Sequence, residues 1–120
     1  MTKAEHNEQI ANTIYQQIGG DKFMYITGSK RPVIIEKGLR ISLCKNGTSA
    51  NRLDIILNEG ADLYDMKFYK LSVRKSDSHI NTKVIASHKG VFFDQLTDIF
   101  QQVTGLAVAI PVIHIGGNND

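Results

Sequence analysis

Apolar and polar residues alternate in the middle of the chain. Every second residue is apolar over 52–57, and the same period of two begins the segment 63–73. This period is typical of strands that turn one face toward a core. Residues 58–62, Asn-Glu-Gly-Ala-Asp, favour a turn between the two segments. The stretch therefore predicts an antiparallel hairpin in the middle of a sheet, with a β-bulge or burial on both faces near Phe68, where the apolar face changes parity.

Apolar residues at helical spacing lie on both sides of this region. Residues 2–5 have the Thr-x-x-Glu form of a capping box, and an isoleucine then recurs every four residues from Ile10 to Ile18. Two glycines follow and are expected to end this first helix. A second apolar stripe predicts a helix over 92–104, which Gly105 closes.

Shorter apolar segments predict the remaining strands, at 23–27, 33–36, 39–44 and 83–87. Polar and glycine-containing segments separate them, and a turn at 88–90 leads into the second helix. Residues 33–44 could instead form one longer, interrupted strand. The pattern predicts a single α+β domain over 1–105. It contains an N-terminal helix, an antiparallel meander of about five strands and a C-terminal helix, with both helices on one face of the sheet.

The tail, residues 106–115, has the sequence LAVAIPVIHI and is almost entirely apolar. Its β-branched residues and Pro111 favour a strand or an extended arm over a helix, and it is too short to span a bilayer. Two interpretations stay open: a strand that packs on its own domain, or an arm that pairs with a second copy or another protein. The candidate interface residues are Val108, Ile110, Val112, Ile113 and Ile115. We expect residues 116–120 to be a disordered end.

Composition limits the class of protein. A chain of 120 residues with 42% hydrophobic and 22% charged residues is typical of one globular domain that buries its own core. The single cysteine, Cys44, has no partner for an internal disulfide, which favours a reducing, cytoplasmic setting. The N-terminus is too polar for a signal peptide, and no apolar stretch approaches the length of a membrane span, so we expect no membrane partner.

Charge is unevenly distributed along the chain. Segments 22–45 and 66–90 each contain six Lys or Arg residues and one acidic residue, whereas the segments around them are net acidic. A sheet surface with these cations, and with Tyr25 or Tyr69 for stacking on bases, could bind single-stranded nucleic acid. The candidate binding residues are Lys37, Arg40, Lys67, Lys70, Arg74, Lys75 and Tyr69. The alternative is a solvated face whose lysines prevent aggregation, because a net charge of +2 is small for a nucleic-acid binder.

Catalytic and metal-binding signals are weak. The four histidines are scattered, and none lies at a metal-ligand spacing from another histidine or from the cysteine. Cys44 and His88 could form a nucleophile and its base, but a chain of this length contains such a pair by chance. Residues 27–30, Thr-Gly-Ser-Lys, lack the spacing of a P-loop, so phosphate binding there is a minor hypothesis. We predict no catalytic residue, no metal site and no cofactor.

Three segments carry a resemblance to known proteins. Residues 12–30 (NTIYQQIGGDKFMYITGSK), 62–68 (DLYDMKF) and 100–106 (FQQVTGL) resemble a group of small uncharacterised proteins encoded by phages and mobile elements. The resemblance extends from about residue 12 to about residue 106. It implies no functional residue, because that group has no known active site. Its members tend to end soon after the Thr-Gly-Leu segment, which makes the tail from Ala107 an addition that could serve assembly.

Two functional hypotheses follow from the sequence. The leading one is a non-enzymatic binding protein of phage or mobile-element type that uses a basic sheet face for nucleic acid, single-stranded by preference. The alternative is a protein-binding or self-assembling module in which the apolar tail forms the interface with a partner or a second copy.

Overall fold

The structure, a computed structural model, describes residues 1–108. The helices are α1 (Lys3–Ile18), α2 (Gly20–Thr27) and α3 (Leu96–Thr104), and a short 3-10 helix, Phe93–Gln95, precedes α3. The strands are β1 (Lys30–Ile35), β2 (Gly38–Ser42), β3 (Arg52–Asn58), β4 (Leu63–Val73) and β5 (Ile80–Val91). Each strand pairs in antiparallel fashion with the next, in the order β1-β2-β3-β4-β5. The predicted α+β class and five-stranded meander are therefore confirmed.

The start of α1 confirms the predicted capping box. The Glu5 backbone N–H donates to Thr2 Oγ1, and the Thr2 N–H donates to Glu5 Oε1, each over 3.1 Å. These two bonds satisfy backbone groups that a helix start otherwise leaves unpaired. The isoleucines of the predicted stripe are buried, and the helix ends at Gly19, whose φ of 128° requires a glycine.

Helix α2 corrects the prediction of a strand at 23–27. The two glycines redirect the chain into another helix rather than into an extended segment. Phe23 and Thr27, four residues apart, are both buried on the same side, and Thr27 Oγ1 donates to the Phe23 carbonyl over 2.8 Å. Aromatic and β-branched residues favour a strand in isolation, but here the packing of Phe23 against the core decides the conformation.

The central hairpin is confirmed by the pairing of β3 and β4. Leu53 lies opposite Phe68 and Ile55 lies opposite Met66, and all four side chains are fully buried. Their neighbours point to the other side of the sheet. Both parts of the prediction near Phe68 hold, because Tyr69 is buried on the opposite face and the pairing with β5 shifts register between Phe68 and Tyr69.

The core lies between the helices and one face of the sheet. Side chains from α1, α2 and α3 pack with the buried residues of β2, β3 and β4 in one cluster. Phe100 of α3 contacts Phe23 edge to face, with ring centroids 4.8 Å apart, and its ring lies 6.3 Å from that of Phe68. The helices thus cover one face, as predicted. We call the opposite face, which presents Arg40 and Lys67, the open face.

Strands β4 and β5 continue past the end of β3 as a two-stranded ribbon, residues 70–83, which we call the β4–β5 ribbon. Asn51 fixes its base: Asn51 Oδ1 accepts from the Leu71 N–H over 2.8 Å, and Asn51 Nδ2 donates to the Leu71 carbonyl over 2.9 Å. Strand β5 is longer than the predicted 83–87. The predicted turn at 88–90 is wrong, because these residues belong to β5 and Gly90, with φ of 68°, absorbs a register shift instead.

The C-terminal region follows the prediction in part. The predicted helix over 92–104 is divided into a 3-10 turn and α3, and Gly105 ends it with φ of 75°. Leu106 and Val108 pack partly buried against the core. The other candidate interface residues, Ile110, Val112, Ile113 and Ile115, lie outside the described residues. Within 1–108, no helix has the length and apolar character needed to cross a membrane.

Candidate nucleic-acid interface

Arg40, Asp54 and Tyr69 form a hydrogen-bonded group on the open face. Arg40 Nε donates to Asp54 Oδ1 over 2.9 Å, and Arg40 Nη2 donates to Asp54 Oδ2 over 3.0 Å. The Tyr69 hydroxyl donates to Asp54 Oδ1 over 3.0 Å. The hydrogen bonds to Asp54 raise the pKa of the Arg40 guanidinium, and burial together with the Asp54 charge raises the pKa of Tyr69.

This group changes the roles expected of two candidate binding residues. Asp54 compensates the charge of Arg40, so Arg40 contributes less attraction for phosphate than a solvated arginine. Tyr69 is only 4% exposed, and its ring therefore has no free face on which a base could stack. Tyr25, the other tyrosine considered for stacking, is 85% exposed but lies on helix α2 rather than on the sheet.

Lys67 is the candidate residue that the open face presents to solvent. Its Nζ lies 5.2 Å from the centroid of the Tyr69 ring, a cation–π distance that holds the ammonium above the face. Beside it is a depression of about 220 Å³. The depression is lined by Arg40, Asp54, Lys67, Tyr69, Leu71, Thr82 and Val84, so it combines cations with aliphatic side chains.

The β4–β5 ribbon carries three further candidates. Lys70 lies opposite Lys83, a cation that the sequence-based list omitted. Arg74 and Lys75 lie in the turn at the ribbon's tip, where Arg74 Nε is 3.5 Å from Asp77 Oδ1. All four side chains are exposed. Lys70 is two residues from the core-facing Phe68, so Lys70 and its partner Lys83 point to the helix side of the sheet, whereas Lys67 points to the open face.

Lys37 lies apart from the other candidates. It occupies the turn between β1 and β2, and its Nζ is 3.2 Å from Glu59 Oε1. Glu59 also accepts from His6 Nε2 over 2.9 Å. The His6 hydrogen bond is the largest cause that lowers the pKa of Glu59, with Lys37 the next. Lys37 thus belongs to an ion pair near the N-terminal helix, and the structure does not bring it together with the ribbon.

A pocket that the sequence-based list missed lies where β1 begins, β2 ends and β3 begins. Strand pairing places Lys30 opposite Ser42 and Ser42 opposite Arg52. The pocket has a volume of about 260 Å³ and contains no carboxylate among its lining residues. We call it the basic pocket; it is lined by Gly28, Lys30, Arg31, Ser42, Leu43, Cys44 and Arg52. The Thr-Gly-Ser-Lys segment at 27–30 was the sequence signal closest to it.

The two residues that could form a nucleophile and its base lie far apart. Cys44 follows the end of β2, and His88 lies on β5, so two strands separate them. Three strand spacings of about 4.8 Å separate the pair by at least roughly 14 Å, too far for a nucleophile and its base. Among the described residues, no three His, Cys, Asp or Glu side chains are grouped so that they could hold a metal ion.

The comparisons with known proteins give no match. No protein-family model, no curated protein and no solved structure matches the chain. Its function is therefore inferred from the charge and geometry of the open face, the ribbon and the basic pocket.

Proposed function

We propose that this chain is a non-enzymatic protein that binds single-stranded nucleic acid. The supporting observation is the location of its solvent-exposed cations. Within residues 1–108, no helix covers Lys67 on the open face, the lysines of the β4–β5 ribbon or the cations of the basic pocket. Phosphate attraction by such cations is the main sequence-independent source of nucleic-acid affinity.

The open face beside Lys67 favours a single strand over a duplex. Leu71 and Val84 lie on the open face beside Lys67, and Val84 is 55% exposed. Aliphatic side chains can contact the unstacked bases of a single strand, whereas the bases of a duplex are paired and stacked. The binding elements are sheet and ribbon, and within residues 1–108 no helix protrudes from the open face to enter a major groove.

The setting that we propose is cytoplasmic and connected with a phage or mobile element. The lone cysteine fits a reducing compartment, and the resemblance of three segments to small proteins of phages and mobile elements fits such an origin. Single-stranded intermediates arise when such elements are copied or transferred, so a sequence-tolerant binder has a use there.

The test is a titration of labelled single-stranded and double-stranded oligonucleotides of equal length at two salt concentrations. We expect tighter binding of the single strand, and a logarithmic salt slope of about −0.7 for each phosphate contacted. Substitution of Lys67, Lys70 and Lys83 by Glu should weaken binding at least tenfold and make the slope less steep. Each single variant, such as Lys67→Glu, should also weaken binding more than its matched control Lys22→Glu, an exposed charge reversal on α2 that changes the net charge by the same amount.

Two results would contradict the proposal. The first is absence of binding to either oligonucleotide at low salt. Equal weakening by Lys67→Glu and by Lys22→Glu would show that net charge, and not this surface, controls binding. Circular dichroism of each variant shows whether a loss of binding reflects a loss of fold.

A second candidate function is self-assembly or binding of another protein. Its supporting observation is a set of large apolar side chains that stay half exposed or more in the described chain: Val73, Ile80, Val84, Phe92 and Phe93. Exposed apolar groups of this kind are frequent at protein interfaces. The apolar sequence of the tail, residues 106–115, also favours this second function. Light scattering of the full chain and of a chain truncated after Gly105 tests the idea, since a dimer that the truncation abolishes would support it.

A further inference from the structure

The basic pocket has an excess of positive charge that the protein itself does not compensate. Within residues 1–108, none of Lys30, Arg31 and Arg52 forms an ion pair. Arg52 Nη1 donates to the Asn51 carbonyl over 2.9 Å, which fixes the guanidinium and leaves its other N–H groups for a ligand. Cations held close together repel one another, so the ligand that complements them is an anion.

The backbone at Arg31 is the second observation. Arg31 has a φ of 53°, in the left-handed region that residues other than glycine, asparagine and aspartate rarely adopt. It belongs to a bulge, because the pairs Lys30–Ser42 and Val33–Arg40 leave one extra residue on β1. Bulges beside binding sites redirect a side chain. Here the redirected side chain is a cation that lines the pocket, and this use accounts for an otherwise unfavourable conformation.

Size and charge define the class of anion. The volume of about 260 Å³ is below the roughly 300–1,000 Å³ of pockets that enclose drug-sized ligands, so one phosphate with its adjoining sugar fits better than a dinucleotide. A phosphate monoester carries a charge of about −1.5 to −2 at pH 7, against −1 for each diester in a chain. Two arginines also match phosphate oxygens through paired N–H groups. We infer that the basic pocket binds a phosphate monoester.

Such a group has two sources: a nucleotide, or the terminal phosphate of a nucleic acid strand. The second source rests on the nucleic-acid binding proposed above and would place a strand end at the pocket, beside the base of the β4–β5 ribbon. The first source does not depend on it. The chemistry of recognition is the same in both cases, and the experiment separates them.

The first measurement uses Cys44, the only cysteine in the chain, which lines the pocket. The rate of its alkylation is followed with inorganic phosphate, with a nucleoside 5′-monophosphate, and with chloride at equal ionic strength. We expect both phosphates to slow alkylation and chloride to leave it unchanged. The second measurement compares the affinities of oligonucleotides that end in a 5′-phosphate, a 3′-phosphate or only hydroxyls.

The variant that tests the site is Arg31→Asn. Asparagine removes the charge but tolerates a positive φ, so the protein should fold with unchanged or higher stability. Loss of a charge-assisted hydrogen bond should weaken phosphate protection of Cys44 about tenfold. Lys22→Ala, which removes an exposed cation on α2 outside the pocket lining, should leave protection unchanged.

Each outcome decides the inference. Protection by the monophosphate without any preference for phosphorylated ends supports a nucleotide site, and a preference for one phosphorylated end supports a strand terminus. If phosphate protects Cys44 but no oligonucleotide binds, the phosphate site in the basic pocket is supported and the proposed function is overturned. If phosphate protects no better than chloride and terminal phosphates add no affinity, the inference is wrong, whether or not oligonucleotides bind elsewhere on the protein.

Discussion

Arg40 and Asp54 lie directly opposite each other on β2 and β3 and form a two-point ion pair over 2.9 and 3.0 Å. The Asp54 side chain is 4% exposed, whereas that of Arg40 is 41% exposed. Arg40 thus covers the Asp54 carboxylate on the open face and shields it from solvent. We predict that Arg40→Ala lowers the free energy of unfolding by about 3 kcal/mol, because it leaves a buried charge with the Tyr69 hydroxyl as its remaining partner.

A double-mutant cycle in chemical denaturation separates this cause from lost packing. Asparagine at position 54 is neutral and cheaper to bury without a cation, so adding Asp54→Asn to Arg40→Ala should recover about half of the loss. If the losses of unfolding free energy in Arg40→Ala and Asp54→Asn simply add in the double variant, the two side chains are not coupled. Arg40 is consequently a poor choice for testing nucleic-acid binding, since its removal changes stability as well as charge.

Asn51 makes a second prediction, about the β4–β5 ribbon. Its side chain holds both backbone groups of Leu71. Asn51→Ala should cost about 2 kcal/mol, near 1 for each lost hydrogen bond, and should speed amide exchange in the ribbon more than elsewhere. Asn51→Asp keeps the acceptor and loses the donor, so its stability should lie between that of the native chain and that of Asn51→Ala. Asn58→Ala is the control, because Asn58 is exposed and its Oδ1 accepts over a longer 3.4 Å.

Uniform exchange across the sheet in Asn51→Ala would contradict this role, since it would show that the ribbon and the sheet open together. A ribbon that loosens selectively should also reduce oligonucleotide affinity if its lysines bind phosphate, because an ordered array of cations loses less entropy on binding.

The sequence predicted those parts of the fold whose signals are local. The alternation in 52–57 and 63–73 and the turn between them lie within one short stretch, so the hairpin was predicted correctly. Helix α2 was missed because its four consecutive apolar residues, 23–26, fit either a strand or a helix. The contact that favours the helix is between Phe23 and Phe100, which are far apart in the chain, and no local pattern reveals it.

The candidate site was predicted less well, for a related reason. The sequence shows which residues are cations but not which are paired, and pairing across strands neutralises Arg40 with Asp54. Strand pairing also brings Arg52 to Lys30 and Arg31, which are about twenty residues earlier. Tyr69 was considered for stacking on bases, yet Asp54 and Arg40 cover it on the open face.

Gly38 gives a prediction about close packing between strands. A Cβ at this position would lie 2.3 Å from the Ile55 carbonyl oxygen, a backbone atom that cannot move without shifting β3. Gly38→Ala should therefore destabilise the protein by at least about 2 kcal/mol in thermal or chemical unfolding. Gly60→Ala is the matched control: its Cβ would meet only Asn58 Oδ1 at 3.6 Å, so stability should change little or rise slightly. If Gly38→Ala and Gly60→Ala change the free energy of unfolding equally, β2 and β3 separate more easily than their pairing indicates.

Tyr15 and Asp21 predict how stability depends on alkaline pH. The Tyr15 hydroxyl donates to Asp21 Oδ1, and this hydrogen bond is the main cause that raises the pKa of Tyr15 from 10.0 to about 12. The unfolded chain has the lower pKa, so the pair stabilises the fold fully below pH 10. The contribution is lost as pH rises through 12. The phenol should therefore ionise late in an ultraviolet titration.

Subtracting the titration of Tyr15→Phe from that of the native chain isolates this one phenol. Asp21→Asn removes the negative charge and keeps an acceptor, so the Tyr15 pKa should fall toward 10 in that variant. Tyr15→Phe should also flatten the decline of unfolding free energy between pH 10 and 12. If the difference titration has its midpoint near 10, Tyr15 is not a late-titrating phenol and the role of Asp21 is refuted.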